Sequence, residues 1–227
     1  MSNQILQNTA GLAGLRRSSR LQLILFLATL GLLALATALS PSERTLGDNA
    51  KLIYFHGAWV WAAKLLFAAS GAAGLAGIAL RRPGWHAWSR SLAWTGMLFW
   101  ILYLPLSLYI QQVNWGGILW DEPRWRVALM FGIVGLLVQI GVYLIGLPAL
   151  TSAANLALGV GLWLILAETP NVLHPTDPIG QSTSTLIPIF FGILMALSVA
   201  AGGQIAYWVR GKYALPGSPL HRHQDPV

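Results

Sequence analysis

Six stretches of this chain are long and apolar enough to cross a lipid bilayer, and this feature limits the fold more than any other. A helical span needs about 20 residues, because a helix rises about 1.5 Å per residue and the hydrocarbon layer is roughly 30 Å thick. The six stretches cover residues 21–40, 57–80, 93–110, 126–148, 152–167 and 186–209. The sequence therefore predicts an all-α integral membrane protein, a bundle of six transmembrane helices.

Composition supports this prediction and excludes several functional classes. Hydrophobic residues make up 56% of the chain and charged residues only 9%, whereas a soluble domain of this size needs far more polar surface. The chain contains no cysteine, which excludes disulfides, thiolate nucleophiles and zinc–thiolate sites. It also contains no phosphate-binding loop, nucleophile elbow or metalloprotease helix, so hydrolytic chemistry has no support.

The charged residues are distributed unevenly between the two predicted sides. One side comprises the N-terminus, residues 81–92, the turn at 149–151 and the C-terminal tail. Its charges are Arg16, Arg17, Arg20, Arg81, Arg82, Arg90, Arg210, Lys212 and Arg222 against the single acid Asp225. The opposite side, with loops 41–56, 111–125 and 168–185, holds Arg44, Lys51, Arg124 and Arg126 against Glu43, Asp48, Asp121, Glu122, Glu168 and Asp177.

Because basic residues favour the cytoplasmic side, this asymmetry predicts a multi-pass protein of the cell (inner) membrane with both termini in the cytoplasm. It also accounts for the formal net charge of +7 without a nucleic-acid partner. We expect residues 1–212 to form the transmembrane domain and residues 213–227 a disordered cytoplasmic tail.

Residue types that bind cofactors are concentrated in the predicted outer loops. His56 precedes the second span and His174 precedes the sixth, which places both at similar depth. The middle outer loop between them in sequence carries Trp115, Trp120 and Trp125 with Asp121 and Arg124. A b-type haem needs such parts, namely two neutral imidazoles for the iron, aromatic surface for the porphyrin and cations for the propionates. When each indole is considered singly, interfacial anchoring by tryptophan is the better explanation.

Taken together, these segments resemble the haem-handling proteins of cytochrome c biogenesis, of the CcmC and CcsA type, over roughly residues 20–210. The segment Leu-Ile-Tyr-Phe-His-Gly-Ala-Trp at 52–59 is similar to the family's first histidine segment, and Asn-Val-Leu-His-Pro at 171–175 to its second. The family's tryptophan-rich loop is represented by residues 115–124, Trp-Gly-Gly-Ile-Leu-Trp-Asp-Glu-Pro-Arg. Here one tryptophan of the family pattern is missing, and Arg124 falls three residues after Asp121 rather than two.

The resemblance implies that the chain binds haem b non-covalently at the outer face and presents it for cytochrome c assembly. His56 and His174 would be the axial ligands, and Trp115 and Trp120, with Asp121 and Arg124, the platform. The implied partners are other cytochrome c maturation membrane subunits and a haem chaperone or apocytochrome c. Such haem transport transfers a bound group and is not catalysis by this chain.

Two functions of other classes stay open at this stage. A b-type subunit that carries electrons across the membrane would generally need a second histidine pair near the cytoplasmic face, where only His86 lies, in the predicted inner loop. A single outer haem that exchanges electrons with a quinol stays open. A cofactor-free structural or transport subunit would use the same aromatics only as interfacial anchors. Lys64 lies within the second span, where a charge costs roughly 2.5–3.5 kcal/mol, and we expect it either to meet a propionate or carboxylate or to extend toward the interface.

Overall fold

The protein consists of six long α-helices in the part of the chain that a computed structural model describes, residues 2–170, 172, 179 and 182–213. The helices are α1 (Ser2–Leu39), α2 (Ala50–Leu80), α3 (Pro83–Trp115), α4 (Pro123–Ile145), α5 (Pro148–Glu168) and α6 (Leu186–Tyr213). Each is long and apolar enough to cross a membrane, within Arg20–Leu39 in the case of α1. The prediction of an all-α six-helix membrane bundle is confirmed. Tyr213 still belongs to α6, and the rest of the predicted tail, 214–227, lies outside the described residues.

The predicted loops around α3 were wrong, because α3 is much longer than the expected span 93–110. The inner connection is the pair Arg81–Arg82 rather than 81–92, and the middle outer loop is 116–122 rather than 111–125. Proline occupies the first position of α3, α4 and α5, where its missing N–H costs no helical hydrogen bond. The turn between α4 and α5 is correspondingly 146–147 rather than 149–151.

Neighbouring helices run in opposite directions, so the charge groups of the sequence separate to two ends of the bundle. The acidic end comprises the connections 40–49 and 116–122 and the end of α5 at Glu168. The basic end comprises the Arg81–Arg82 turn, the turn 146–147 and the end of α6 near Arg210. The structure itself contains no membrane, so the assignment of the basic end to the cytoplasm stays a prediction.

Small residues let α2, α5 and α6 approach closely. A Cβ built on Gly74 would lie 2.6 Å from the carbonyl oxygen of Ser152, and one on Gly159 would lie 2.8 Å from the carbonyl oxygen of Phe67. A Cβ on Gly202 of α6 would lie 2.8 Å from Leu66. This is the close packing expected of small residues in membrane helices. Gly203, in contrast, is exposed with no atom within 4 Å of its Cβ position.

Buried polar residues link α2, α3, α4 and α5 in the basic half of the bundle. The amide of Asn155 donates to Ser89 Oγ at 2.9 Å and accepts from Gln139 Nε2 at 2.6 Å. The hydroxyl of Ser70 donates to the carbonyl of Ser89 at 2.7 Å. Because unpaired polar groups are costly in an apolar interior, these bonds explain how a polar segment such as 86–91 stays helical inside the bundle.

His86 belongs to this buried arrangement rather than to an inner loop, which corrects its predicted position. It lies in the first turns of α3, and its Nδ1 is 2.7 Å from Ser152 Oγ of α5. A Cβ built on Gly77 of α2 would come within 2.7 Å of the same nitrogen. The imidazole of His86, on α3, therefore packs against both α2 and α5.

Candidate functional site

His56 lies in the second turn of α2 and not in a loop before the helix, which corrects the sequence prediction. Its partly exposed ring packs against the ring of Tyr103 on α3, with centroids 5.3 Å apart and planes tilted by 47°. Tyr103 itself is buried, and it also makes an edge contact with Trp100 at 5.0 Å. Well-packed aromatic neighbours thus set the direction of the imidazole.

One turn further into the bundle, the indole of Trp59 fixes the spacing of α2 and α3. It stacks on Phe99 with centroids 4.0 Å apart and planes only 9° from parallel. Its Nε1 donates to the carbonyl of Phe99 at 2.9 Å. His56 and Tyr103 each follow one turn closer to the acidic end, so this anchor determines their separation.

Lys64 is held between two indoles of different helices. Its Nζ lies 3.8 Å from the ring centroid of Trp61 and 4.2 Å from that of Trp163 on α5. The two indoles are themselves in edge contact, with centroids 5.7 Å apart. Cation–π contact of this kind stabilises an ammonium where water is scarce. Lys64 is accordingly neither paired with a described carboxylate nor simply extended to the interface.

Arg124 reaches from the start of α4 to the end of α5. Its Nε donates to the carbonyl of Thr169 at 3.3 Å and its Nη2 to the carbonyl of Leu166 at 3.5 Å. The last carbonyls of a helix lack helical partners and carry partial negative charge, which favours a guanidinium there. The contacts of His56 with Tyr103, of Lys64 with Trp163 and of Arg124 with Leu166 thus join α2, α3, α4 and α5 in one region, the acidic half of the bundle.

The two cations of this region have no carboxylate within ion-pairing distance in the described part of the chain. The ion pairs there are Lys51 with Asp48 and Arg126 with Asp121. Asp121, predicted as part of the cofactor platform, is thus engaged by Arg126. A region with two uncompensated positive charges is suited to an anionic ligand.

Trp115 and Trp120 lie at the surface of the acidic end. Trp115 is the last residue of α3, and Trp120 lies in the 116–122 connection with 57% of its surface exposed. The ring of Trp120 makes an edge contact with Trp125 at 5.3 Å, and its carbonyl accepts from Arg126 Nε at 2.9 Å. The structure therefore groups Trp120 and Asp121 with Trp125 and Arg126, while Arg124 points toward α5.

His174 and Asp177 lie outside the described residues, so the second predicted ligand has no structural account. Among the residues that are described, no group of three or more His, Cys, Asp or Glu side chains is placed to hold a metal ion. The structure thus provides one histidine of the predicted pair.

An apolar groove opens beside this region, between α1 and α2 at the acidic end. Its volume is about 590 Å³, within the range of ligand pockets. It is lined chiefly by Leu30, Leu33, Leu52, Phe55 and Trp59, and the Lys51–Asp48 ion pair lies at its rim. The indole of Trp59 therefore lines the groove and also stacks on α3.

Sequence reasoning missed several residues that define the site. Tyr103 and Trp163 gave no signal, because their partners lie on other helices far along the chain. Trp61 did give one, since it lies three residues before Lys64 on the same helical face. Glu122 is the N-cap of α4, and its buried side chain accepts from the backbone N–H of Arg124. Glutamate is not among the residues preferred at an N-cap, so this role was not predictable from its type.

Known proteins provide no further information on the function of this region. No family model, curated protein or solved structure matches the chain. The resemblance to haem-handling proteins therefore depends on the motifs around His56, Trp115–Arg124 and His174 alone.

Proposed function

We propose that the chain binds haem b non-covalently at its acidic end and presents it for cytochrome c assembly. The observation that carries the proposal is that His56, Lys64 and Arg124 each contact a neighbouring helix in the acidic half of the bundle, while neither cation has a described carboxylate within ion-pairing distance. A haem has one iron that takes imidazole ligands and two propionates that take cations. The chemistry of the described residues fits that combination.

His56 has the role of an axial ligand in this proposal. Neutral imidazole supplies a lone pair to iron, and the ring of Tyr103 limits rotation of the imidazole. His174 is proposed as the second ligand on the strength of the sequence resemblance. When bound, the haem supplies an iron centre and an extended aromatic surface.

Lys64 and Arg124 have the role of propionate partners. Both are already oriented, Lys64 by two indoles and Arg124 by two carbonyls, so little side-chain entropy is lost when an anion is bound. The exposed indoles of Trp115 and Trp120 offer apolar surface at the same end, from which a haem chaperone or apocytochrome could accept the group. Other maturation subunits of the membrane are proposed as further partners.

Electron transfer across the membrane through a second haem at the basic end is disfavoured by the position of His86. That imidazole is hydrogen-bonded to Ser152 and packs against Gly77, so both contacts hold it between helices in the basic half of the bundle. A second haem there would require those contacts to open.

Titration of the purified protein with haem tests the proposal. We expect saturable binding of one haem per chain, with the sharp visible bands of a low-spin iron. His86→Ala should bind equally well, which makes it a matched control for loss of a histidine. Absence of saturable binding by the folded protein would refute the proposal and favour a cofactor-free structural or transport subunit.

A further inference from the structure

A second cleft lies at the opposite, basic end of the bundle, where α3 begins and α6 ends. Its volume is about 430 Å³. Its lining comprises Arg82, Pro83, Gly84, Trp85, Trp88 and Arg210. Two guanidiniums and two indoles thus surround a space open to the surface, and the proposed haem function uses none of them.

Arg210 is positioned as an anion-binding group. Its guanidinium carbon lies 4.7 Å from the ring centroid of Trp88, which fixes the planar head over the indole. Its Nε is buried and has no hydrogen-bond partner in the described part of the chain. Because Nε has no exposed surface, a ligand in the cleft bonds Arg210 through the terminal nitrogens of the guanidinium.

Positive charge in this cleft is not compensated by any acidic residue that the structure describes. The described acids, Glu43, Asp48, Asp121, Glu122 and Glu168, all lie at the acidic end of the bundle. In the first turn of α3, Pro83 has no N–H and the N–H of Trp85 donates to the carbonyl of Arg82 at 3.1 Å, so of these first three residues Gly84 offers its N–H to a ligand. Guanidinium groups with helix N-terminal amides are a favourable environment for a phosphate.

The surroundings of the cleft indicate the source of that phosphate. Trp85 is 41% exposed, and Tyr207, whose ring neighbours Trp88 at 6.5 Å, is 53% exposed. Exposed aromatic residues beside basic residues at the end of transmembrane helices are typical of the lipid headgroup level. Basic pockets between membrane helices at such a level are known to take anionic headgroups.

We propose that this cleft binds the phosphate headgroup of an anionic phospholipid. Arg82 and Arg210 contact the phosphate, the backbone N–H of Gly84 donates to it, and Trp85 and Trp88 contact the glycerol region. The acyl chains extend along the apolar surface beside Tyr207. The site is independent of the haem proposal, since the two lie at opposite ends of the bundle.

Native mass spectrometry of the full chain in detergent tests the site, with phosphatidylglycerol and phosphatidylcholine as the probes. We expect the wild-type protein to retain phosphatidylglycerol in preference to phosphatidylcholine. Arg82→Gln with Arg210→Gln should weaken phosphatidylglycerol retention about fivefold for each arginine and about 25-fold together. Arg44→Gln with Arg126→Gln removes two exposed charges from the acidic end and should leave retention unchanged.

Three outcomes would overturn the proposal. Equal retention of both lipids by the wild-type protein would show that no anionic headgroup is selected. Unchanged retention in the double variant would place the lipid elsewhere. Displacement of phosphatidylglycerol by inorganic phosphate would assign the cleft to a soluble phosphate, whereas we expect the lipid to stay bound.

A fluorescence measurement keeps the test decisive if the double arginine variant does not fold. Brominated phosphatidylglycerol should quench the wild-type indoles more strongly than brominated phosphatidylcholine, because the selected lipid is held beside Trp85 and Trp88. Trp85→Phe with Trp88→Phe should lose this excess quenching. Persistence of the full excess in that variant would contradict the proposed location.

Discussion

The ammonium nitrogen of Lys64 lies 4.2 Å from the ring centroid of Trp163, which joins α2 to α5 through a cation–π contact. The ring centroid of Trp61 lies 3.8 Å from the same nitrogen. Insertion of a lysine into the bilayer costs roughly 2.5–3.5 kcal/mol, and a cation–π contact returns about 0.5–2 kcal/mol. The two contacts together return about 1–4 kcal/mol, which is comparable to the insertion cost of Lys64. The indoles therefore account for a lysine inside the bundle, and under the proposed function its charge pairs with a haem propionate.

Lys64→Met should therefore weaken haem binding without unfolding the protein. A hydrogen bond between charged groups contributes about 1.5–3 kcal/mol, so we expect an affinity loss on the order of tenfold or more. Lys64→Arg keeps the charge and should retain most of the affinity, which separates charge from packing. Haem titration and thermal denaturation of each variant give the two readouts. Equal haem affinity of the Met variant and the wild type would remove Lys64 from the site.

Gly74 provides a test of the close helix packing. Gly74→Ala places a Cβ 2.6 Å from the carbonyl oxygen of Ser152 and 3.0 Å from Ser89 Oγ, so α2 and α5 must separate. Overpacking of this kind costs about 1–3 kcal/mol, and we expect a lower midpoint of thermal denaturation in detergent. Gly203→Ala is the matched control, because no atom lies within 4 Å of its Cβ position. Similar denaturation midpoints for the two variants would contradict the packing described for Gly74.

The hydropathy of the sequence was sufficient to predict six spans but not where α3 begins. The segment His86–Ser91 is polar, and hydropathy places polar residues in loops. In the bundle these residues face other helices, where His86 bonds Ser152 and Ser89 bonds Asn155. Those partners lie 66 residues away in both cases, so one sequence gives no signal of the pairing. Pro83 did give a signal, since proline is common at the first helical position.

The sequence was sufficient to predict which residues belong to the candidate site but not which contacts they make. Charge and residue type placed His56, Arg124, Trp115 and Trp120 at one end, and the described residues agree. The contact of His56 with Tyr103 and the reach of Arg124 to α5 depend on helix packing angles and were not predicted. Whether His174 joins the site is a prediction that lies outside the described residues.

The 41–49 connection should loosen in acid. Hydrogen bonds from the backbone N–H groups of Leu46 and Thr45 lower the pKa of Glu43, and the Ser42 hydroxyl followed by Lys51 lowers the pKa of Asp48. A carboxylate whose folded pKa is lowered stabilises the fold above its unfolded pKa and loses that contribution as pH falls through the folded pKa. The window therefore lies below about pH 4.3 for Glu43 and below about pH 3.9 for Asp48.

Amide hydrogen exchange at residues 41–49, corrected for the intrinsic effect of pH, measures this loosening. We expect protection of the Thr45 and Leu46 amides to fall as the pH drops through that window. Glu43→Gln should show weak protection at neutral pH already and little further change. Protection in the wild type that stays constant across the window would contradict the role of the carboxylate.

The orientation predicted from charge is tested with reporters at the two ends. A reporter that is active only in the cytoplasm should be active when fused after Lys212, because the basic end is predicted to face inward. An alkaline phosphatase active only outside should be active when fused after Gly117, in the connection at the acidic end. Phosphatase activity after Lys212 would reverse the orientation, and haem would then be presented on the cytoplasmic side.

The ligand assignment is tested most directly by the visible spectrum of the haem-loaded protein with each histidine replaced. His56→Ala and His174→Ala should each convert the six-coordinate low-spin spectrum to a five-coordinate one or lose the haem, and added imidazole should partly restore the original bands. His86→Ala should leave the spectrum unchanged, because its imidazole is bonded to Ser152. A six-coordinate spectrum that survives in both single variants and in the double variant would contradict the account.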